Sequence, residues 1–159
     1  EAALTGHLVM SSLHTNDAAG AVTRLVEMGV PSFLVAGALE AVVAQRLLRR
    51  PCPQCVSRRN PTDAEKALLA SEGITAPKKV AKAEGCRRCG RTGYRGRRAM
   101  HEILRVTPAM EAIIASGGST DEIKARAKAD GMKTLRETAL KLVADGITTF
   151  EEVARVIGR

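Results

Sequence analysis

The chain has 159 residues and a formal net charge of +8, with no tryptophan, one tyrosine and two phenylalanines. This length permits one medium domain or two small ones, whose cores must be built from aliphatic side chains. The longest apolar run, residues 33–44, is interrupted by Gly37 and Glu40 and is too short to cross a bilayer. With no signal peptide in the sequence, we expect a soluble, cytosolic protein or fragment.

The first third of the chain predicts a strand followed by two helices. Residues 7–13, HLVMSSL, are typical of a largely buried strand. A helix follows, capped near Asn16 or Asp17 and stopped at Gly29. A second helix, apolar on nearly all sides and therefore buried, is predicted over residues 31–49.

The rest of the chain divides into a cysteine-containing segment and a helical tail. Residues 51–98 hold all four cysteines and a short predicted helix at 62–71, and residues 97–104 predict a returning strand. In the tail, Thr107-Pro108 begins a helix. Three further helix starts are indicated by capping boxes, at Ser119…Glu122, Thr134…Glu137 and Thr148…Glu151. Glycines stand at the expected helix ends, at positions 117, 131, 146 and 158.

The four cysteines form two C-x-x-C pairs, Cys52/Cys55 and Cys86/Cys89. Two such pairs are the usual ligands of a structural, tetrahedral zinc site, which has no open position for catalysis. Gly90 and Gly93 suit a tight turn after the second pair, where backbone N–H groups approach sulfur. Disulfides and a redox pair are the alternatives, and both fit an intracellular chain without a βαβ context less well.

The two N-terminal histidines cannot share a metal if residues 7–13 are extended, because about 23 Å would separate them. From its position at the start of the predicted strand, we expect His7 to be a structural histidine. His14, Thr15 and Asn16 follow the predicted strand and precede a helix, which is where an anion binds in open α/β sheets. Ordinary helix capping by the same residues remains the alternative. His101, within a predicted strand, is expected to be a packed or surface residue.

No nucleotide-binding motif is present in the sequence. It contains no G-x-x-x-x-G-K-[ST] loop, and no predicted strand ends in an acidic residue that would hold magnesium. We therefore expect the chain alone to bind no nucleotide.

Four stretches resemble the secretion superfamily ATPases, the motors of type II secretion and type IV pilus assembly. They are LTGHLVMSSLHTNDAAGAVTRLVEMGV, AQRLLRRPCPQC, CRRCGRTGYRGRRAMHEIL and GMKTLRETALKLVADGITTFEEV. The resemblance implies an α/β fold, the C-terminal part of a RecA-like P-loop ATPase domain with an inserted tetracysteine zinc module and a helical tail. The segments would be the end of the ATPase core (1–50), the zinc module (51–98), and the returning strand with the helical subdomain (99–159).

In that family the Walker A loop, an acidic box and the Walker B strand precede a segment called the His box. The His box corresponds here to the segment that contains His7 and His14. The resemblance therefore implies an ATPase in the intact protein, using ATP and Mg²⁺, and an inactive fragment. It also implies site residues: His7 and His14 as the catalytic His-box histidines, the nucleotide-proximal residues Thr5, Thr15, Asn16 and Arg46, and the zinc ligands Cys52, Cys55, Cys86 and Cys89. The four cysteines point to the secretion or pilus-extension branch.

The implied partners are further copies of the chain in a homo-hexamer and an inner-membrane platform protein. The implied location is the cytoplasm, peripheral to the inner membrane. Charge supports an anionic partner, since residues 46–98 carry eleven arginines and four lysines against four acidic residues, a formal +11. A zinc-ribbon nucleic-acid-binding module is the alternative. Tyr94 is the only aromatic residue in that segment, which leaves little base stacking and disfavours nucleic acid.

Overall fold

A computed structural model describes residues 2–158 as a mixed α/β structure. Its helices are α1 (Ala18–Glu27), α2 (Ser32–Ala38), α3 (Asp63–Ser71), α4 (Pro108–Ala115), α5 (Thr120–Ala129), α6 (Leu135–Ala144) and α7 (Phe150–Ile157). Its strands are β1 (Ala41–Pro51), β2 (Val56–Arg59), β3 (Val80–Ala83) and β4 (Tyr94–Arg105). Within this range, every helix falls short of the length and apolar character that crossing a bilayer requires.

The strands form two two-stranded sheets. Strand β1 pairs with β4, and β2 pairs with β3 in antiparallel register, with Val56 opposite Ala83. The chain divides into two compact units. The first unit contains the described residues up to Ala44 together with Glu102–Thr134. The second contains Gln45–His101 and the described residues from Leu135 onward.

The first unit is helical, with α1, α2, α4 and α5 packed on one another. Asp17 caps α1 as the sequence predicts, because its carboxylate accepts the backbone N–H of Gly20 at 2.8 Å. The helix ends at Glu27, and Gly29 adopts φ 94°, a left-handed conformation that glycine accommodates without strain. Aliphatic side chains fill this core, as expected: Val22, Val35, Met110, Ile114 and Ile123.

The second unit combines most of β1 and β4 with β2, β3, α3, α6 and α7. The predicted short helix in the cysteine segment is confirmed as α3, which begins with a complete capping box. The backbone N–H of Thr62 donates to Glu65 at 2.8 Å, and the N–H of Glu65 donates to the Thr62 hydroxyl at 3.3 Å. The buried side chains of this unit include Leu48, Leu69, Val80, Met100, Leu140 and Val143.

The strand predicted over residues 7–13 is wrong, since these residues form no regular secondary structure. Leu8 and Met10 are 84% and 86% exposed. A buried strand needs hydrogen-bonding neighbours and apolar cover on its faces. No strand among the described residues pairs with this segment, so the hydrogen-bonding neighbour that a buried strand needs is missing there.

The helix predicted over residues 31–49 is correct only at its beginning. Helix α2 begins at Ser32 but ends at Ala38, and Leu39 is extended (φ −88°, ψ 117°). Strand β1 follows, with Ala44 and Leu48 buried. Their four-residue spacing fits one face of a helix and equally one face of a strand. Hydrogen bonding to β4, which is distant in sequence, selects the strand.

The helices of the tail begin where the sequence predicts, except that the cap of the last helix lies one residue later. Ser119 and Glu122 form the predicted capping box of α5, and Thr107 caps α4. The cap of α7 is Thr149, whose hydroxyl accepts the N–H of Glu152, and not Thr148 as predicted. The Thr148 hydroxyl instead donates to the backbone carbonyl of Arg49 at 2.9 Å, and tertiary structure therefore overrides the local capping pattern.

A buried carboxylate ties α7 to β1 within the second unit. Glu152 is fully buried and accepts the Arg49 backbone N–H at 2.9 Å and the Arg49 guanidinium at 2.8 and 2.7 Å. Arg155 donates to it at 2.8 and 2.6 Å. Arg49 also lies 4.2 Å from the ring centre of Tyr94, whose hydroxyl is 2.8 Å from the Thr149 hydroxyl. Burial raises the pKa of Glu152, but the hydrogen bonds from Arg155 and Arg49 outweigh burial and lower it to about 2.

Candidate functional site

Short turns in the second unit bring the four cysteines together. Cys52 directly follows β1, and the N–H groups of Cys55 and Val56 donate back to its carbonyl, which forms the first knuckle. Cys86 precedes a 3₁₀ turn (Arg87–Cys89) and Cys89 is its last residue, so this turn forms the second knuckle. The Cys52 N–H donates to the Gly93 carbonyl at 2.8 Å, so a backbone hydrogen bond links the two knuckles.

The sulfur geometry fits a four-coordinate metal. The four Sγ atoms lie within 4.8 Å of one another. The Cys86–Cys89 and Cys55–Cys89 sulfur distances are 3.8 and 3.9 Å. Tetrahedral ligation with Zn–S bonds of about 2.3 Å places sulfurs about 3.8 Å apart. All four cysteines are free thiols, so the structure contains no disulfide between them.

Backbone N–H groups surround the Cys89 sulfur. The N–H of Cys86 donates to it at 3.2 Å and that of Gly93 at 3.3 Å, as the predicted turn after the second pair requires. Gly93 has φ 78°, and a Cβ there would lie 2.8 Å from the Cβ of Ala83. Only glycine therefore lets the backbone approach both the sulfur and β3 at this point.

The pKa values of Cys89 and Cys55 are shifted in opposite directions. Hydrogen bonding from the Cys86 N–H, assisted by that of Gly93, lowers the pKa of Cys89 to about 6. Desolvation, together with hydrogen bonding among the neighbouring thiols, raises the pKa of Cys55 to about 12. A bound divalent cation deprotonates coordinating thiols outright, and this donor set is one that a soft or borderline cation prefers.

Three arginines stand beside the second cysteine pair in sequence: two lie between Cys86 and Cys89, and the third lies two positions after Cys89. Arg87, Arg88 and Arg91 are exposed and form no ion pair with any residue between positions 2 and 158. These three guanidinium groups therefore leave exposed positive charge next in sequence to the second cysteine pair.

The first unit contains the histidine-bearing segment. His7 is exposed, and its Nδ1 lies 3.1 Å from the hydroxyl of Thr5, so the structure brings these two predicted site residues together. His14 is also exposed and, with Thr15 and Asn16, immediately precedes α1. The Thr15 hydroxyl donates to the Asp17 carbonyl at 3.1 Å.

Carboxylates already occupy two N–H groups at the start of α1. The Ala18 N–H donates to Glu102 at 2.8 Å, and the Gly20 N–H donates to the Asp17 cap. Burial opposes ionisation of Asp17, but hydrogen bonds from Lys124 and from the Gly20 N–H keep its pKa below the ordinary value. These two N–H groups are therefore not available to an anion at this end of α1.

Sequence reasoning missed Glu102, although a signal was present. In β4 the side chains of Met100, Glu102 and Leu104 are buried, whereas those of His101 and Ile103 are exposed. The alternation of a strand thus places one carboxylate among apolar residues on the inner face. A buried carboxylate requires hydrogen-bond donors from another part of the chain.

The remaining candidates, Arg46 and His101, belong to the second unit. A guanidinium nitrogen of Arg46 donates to the Gln45 carbonyl at 3.1 Å. His101 is exposed on β4, and its Nε2 lies 3.2 Å from Gln45 Oε1, which confirms that it is a surface residue of a strand.

Comparison with known proteins identifies the class to which this mixed α/β chain with a four-cysteine cluster belongs. Residues 1–155 match the family described as type II/IV secretion system protein. The chain therefore belongs to this family, as the four quoted stretches predict.

Individual relatives agree with this family. The chain is 50% identical over 159 residues to the type IV pilus assembly ATPase PilB of Thermus thermophilus, covering 99% of this chain and 18% of the relative. It is 42% identical over 158 residues to PilB of Myxococcus xanthus (96% and 27%). It is 42% identical over 156 residues to the type II secretion system protein E of Pseudomonas aeruginosa (98% and 31%). The chain thus spans less than a third of the length of these relatives.

Proposed function

We propose that this chain is the C-terminal part of a RecA-like motor ATPase that powers type II secretion or type IV pilus assembly. The observation that carries the proposal is the family match over residues 1–155, together with relatives named as assembly ATPases. ATP hydrolysis belongs to the intact protein. ATP and Mg²⁺ are held chiefly by a Walker A loop and Walker B strand, which these 159 residues do not contain.

In this proposal the His box contributes to the nucleotide site through side chains. His14 and Asn16 are exposed and Thr15 is half-buried just before α1, and from there these side chains approach the γ-phosphate. His7, positioned beside Thr5, supports the same segment, and Arg46 lies near the nucleotide in the assembled motor. Carboxylates already accept the Ala18 and Gly20 N–H groups, so these two groups are not available to the phosphate. This supports recognition of the phosphate by side chains.

The four cysteines are proposed to hold one structural zinc ion. Their sulfur spacing and the N–H groups aimed at Cys89 support this assignment. When bound, the ion cross-links the two knuckles, which the backbone hydrogen bond from Cys52 to Gly93 also joins.

We further propose that segments 1–50, 51–98 and 99–159 are the end of the ATPase core, the zinc module and the returning strand with the helical subdomain. The intact motor is a cytoplasmic homo-hexamer, peripheral to the inner membrane, that acts on a platform protein. Nucleic-acid binding is disfavoured further by Tyr94, since Arg49 covers its ring and its hydroxyl contacts Thr149, so the ring is engaged within the protein.

The His-box assignment is tested by Ala substitution in the full-length motor. His14→Ala is expected to lower kcat for ATP hydrolysis by about tenfold to a thousandfold, as loss of one preorganised group beside a transferring phosphoryl typically does. The 159-residue chain alone is expected to hydrolyse no ATP above background. Glu27→Ala, an exposed change on the same helix, is the control. Wild-type turnover by His14→Ala, or clear hydrolysis by the short chain, would contradict the proposal.

The exposed arginines are proposed to contact an anionic membrane surface. Reversing four of them to glutamate is expected to lower co-sedimentation of the full-length motor with phosphatidylglycerol vesicles by at least about tenfold, since each basic residue contributes about 1 kcal/mol at such a surface. The substituted residues are Arg87, Arg88, Arg97 and Arg98, and the charge-matched control replaces Lys78, Lys79, Lys128 and Lys133. Equal losses in both variants, or no loss in either, would reject a specific basic surface.

A further inference from the structure

Glu102 is a buried carboxylate that neither the cysteine cluster nor the His box accounts for. It is 1% exposed and shares the inner face of β4 with Met100 and Leu104. Its Oε1 accepts the backbone N–H of Ala18 at 2.8 Å, although 84 positions separate the two residues in sequence. An apolar residue would fill this position at less cost, because removing a carboxylate from water is unfavourable unless donors compensate it.

The beginning of α1 supplies a hydrogen-bond donor and positive charge to Glu102. Ala18 is the first residue of this ten-residue helix. The N-terminal end of a helix is partially positive and its first N–H groups have no partner within the helix, so it favours a negative charge. Lys124 adds positive charge nearby. Its hydrogen bond to Asp17 is the main cause of its raised pKa, and attraction to Glu102 contributes to the same shift. The buried Glu102 carboxylate thus fixes the position of the first residue of α1 by a hydrogen bond.

The residues between this anchor and His14 form a connected set of hydrogen bonds. Ala18 is held by Glu102, and Gly20 is held by the Asp17 side chain. Asp17 in turn accepts the Thr15 hydroxyl through its carbonyl and the Lys124 ammonium through its carboxylate. A shift of the first turn of α1 therefore moves the backbone that carries His14, Thr15 and Asn16.

We propose that Glu102 is a positioning residue for the segment His14–Asn16. This inference rests on the proposed function, in which these side chains approach the γ-phosphate. Since the Ala18 and Gly20 N–H groups are occupied, recognition depends on side-chain placement, and this placement depends on where α1 begins. Glu102 acts through the helix start and does not touch the nucleotide.

The test uses the full-length motor with Glu102→Ala, Glu102→Gln and Glu102→Asp. Glu102→Ala is expected to speed amide exchange at Ala18 by about tenfold, because this buried donor loses its acceptor. Its kcat for ATP hydrolysis is expected to fall by about tenfold to a hundredfold, as misplacement by about 1 Å does. KM for ATP is expected to change by less than about threefold, since the lost interaction belongs to the transition state.

Two further variants separate positioning from a general loss of structure. Glu102→Gln keeps an Oε1 acceptor and is expected to recover most of the exchange protection and of kcat. Glu102→Asp withdraws the acceptor by one methylene and is expected to lie between Glu102→Ala and wild type, which keeps the test available if Glu102→Ala does not fold. Glu111→Ala, an exposed carboxylate of the first turn of α4, is the control and is expected to match wild type.

His14→Ala, measured alongside, distinguishes failure of this inference from failure of the proposed function. If His14→Ala lowers kcat while the Glu102 variants retain wild-type exchange and kcat, the positioning role is overturned and the proposed function stands. If the Glu102 variants exchange faster but neither they nor His14→Ala lose kcat, the His box is not at the nucleotide and both ideas fail.

Discussion

Replacing Cys89 with serine in the full-length protein is expected to abolish metal binding and to unfold the two cysteine knuckles. Zinc held by four cysteines contributes about 10–16 kcal/mol to the folding of small modules, and a serine hydroxyl is a poor substitute for thiolate. Cys89 is the most informative ligand to replace, because its sulfur accepts the N–H groups of Cys86 and Gly93 and lies 3.8–3.9 Å from two other sulfurs.

Elemental analysis and hydrogen exchange check this expectation. Wild-type protein should contain about one zinc per chain, with the Cys86 and Gly93 amides protected, and chelation should reproduce the exchange pattern of Cys89→Ser. Ser71→Ala, an exposed change at the end of α3, should retain the metal. A Cys89→Ser protein with wild-type zinc content and protection would rule out the metal centre proposed for these residues.

Replacing Glu152 with alanine is expected to lower the free energy of unfolding by about 2–3 kcal/mol. The Arg49 backbone N–H loses its acceptor, and two guanidinium groups lose a fully buried carboxylate. The loss stays below that of a wholly buried ion pair, because the Arg49 and Arg155 side chains are 38% and 54% exposed and can be rehydrated. Denaturant unfolding measures the change, and Glu151→Ala, an exposed neighbour, should cost no more than about 1 kcal/mol.

The pH dependence of Glu152→Gln provides an independent check on the same carboxylate. The folded-state pKa of Glu152 is about 2, against an ordinary value of 4.5. Its stabilising contribution is therefore fully present above pH 4.5 and is lost as the pH falls toward 2. The stability difference between wild type and Glu152→Gln should be largest near neutral pH and shrink through this window. A difference that does not change with pH would show that the ion pairs contribute nothing.

Local sequence signals predicted features that depend on residues a few positions apart. The caps Asp17, Thr107 and Ser119 each accept a helix N–H three residues later, so the sequence contains both partners. The close approach of the two cysteines within each pair was predictable for a similar reason, because each C-x-x-C pair forms its own turn. The spacing of the two pairs did not show that the Cys52 N–H would bond to Gly93.

Features that depend on distant partners could not be predicted in this way. The apolar residues of 41–51 fit a helix or a strand, and the segment forms β1 because β4 supplies its hydrogen bonds. Residues 7–13 have the composition of a buried strand, but no strand among residues 2–158 pairs with them. Thr148 and Thr149 both offer a capping hydroxyl, and the Arg49 carbonyl decides between them.

The sequence by itself therefore determined the family, the four clustered cysteines, most helix starts and the glycine helix ends, because these depend on short-range geometry and on recognisable motifs. Only the tertiary structure decided the state of β1 and the roles of the two buried carboxylates. Glu102 meets Ala18 across 84 positions, and Glu152 meets Arg49 across 103. A buried charge is stable only where donors surround it, and the fold supplies those donors from distant parts of the chain.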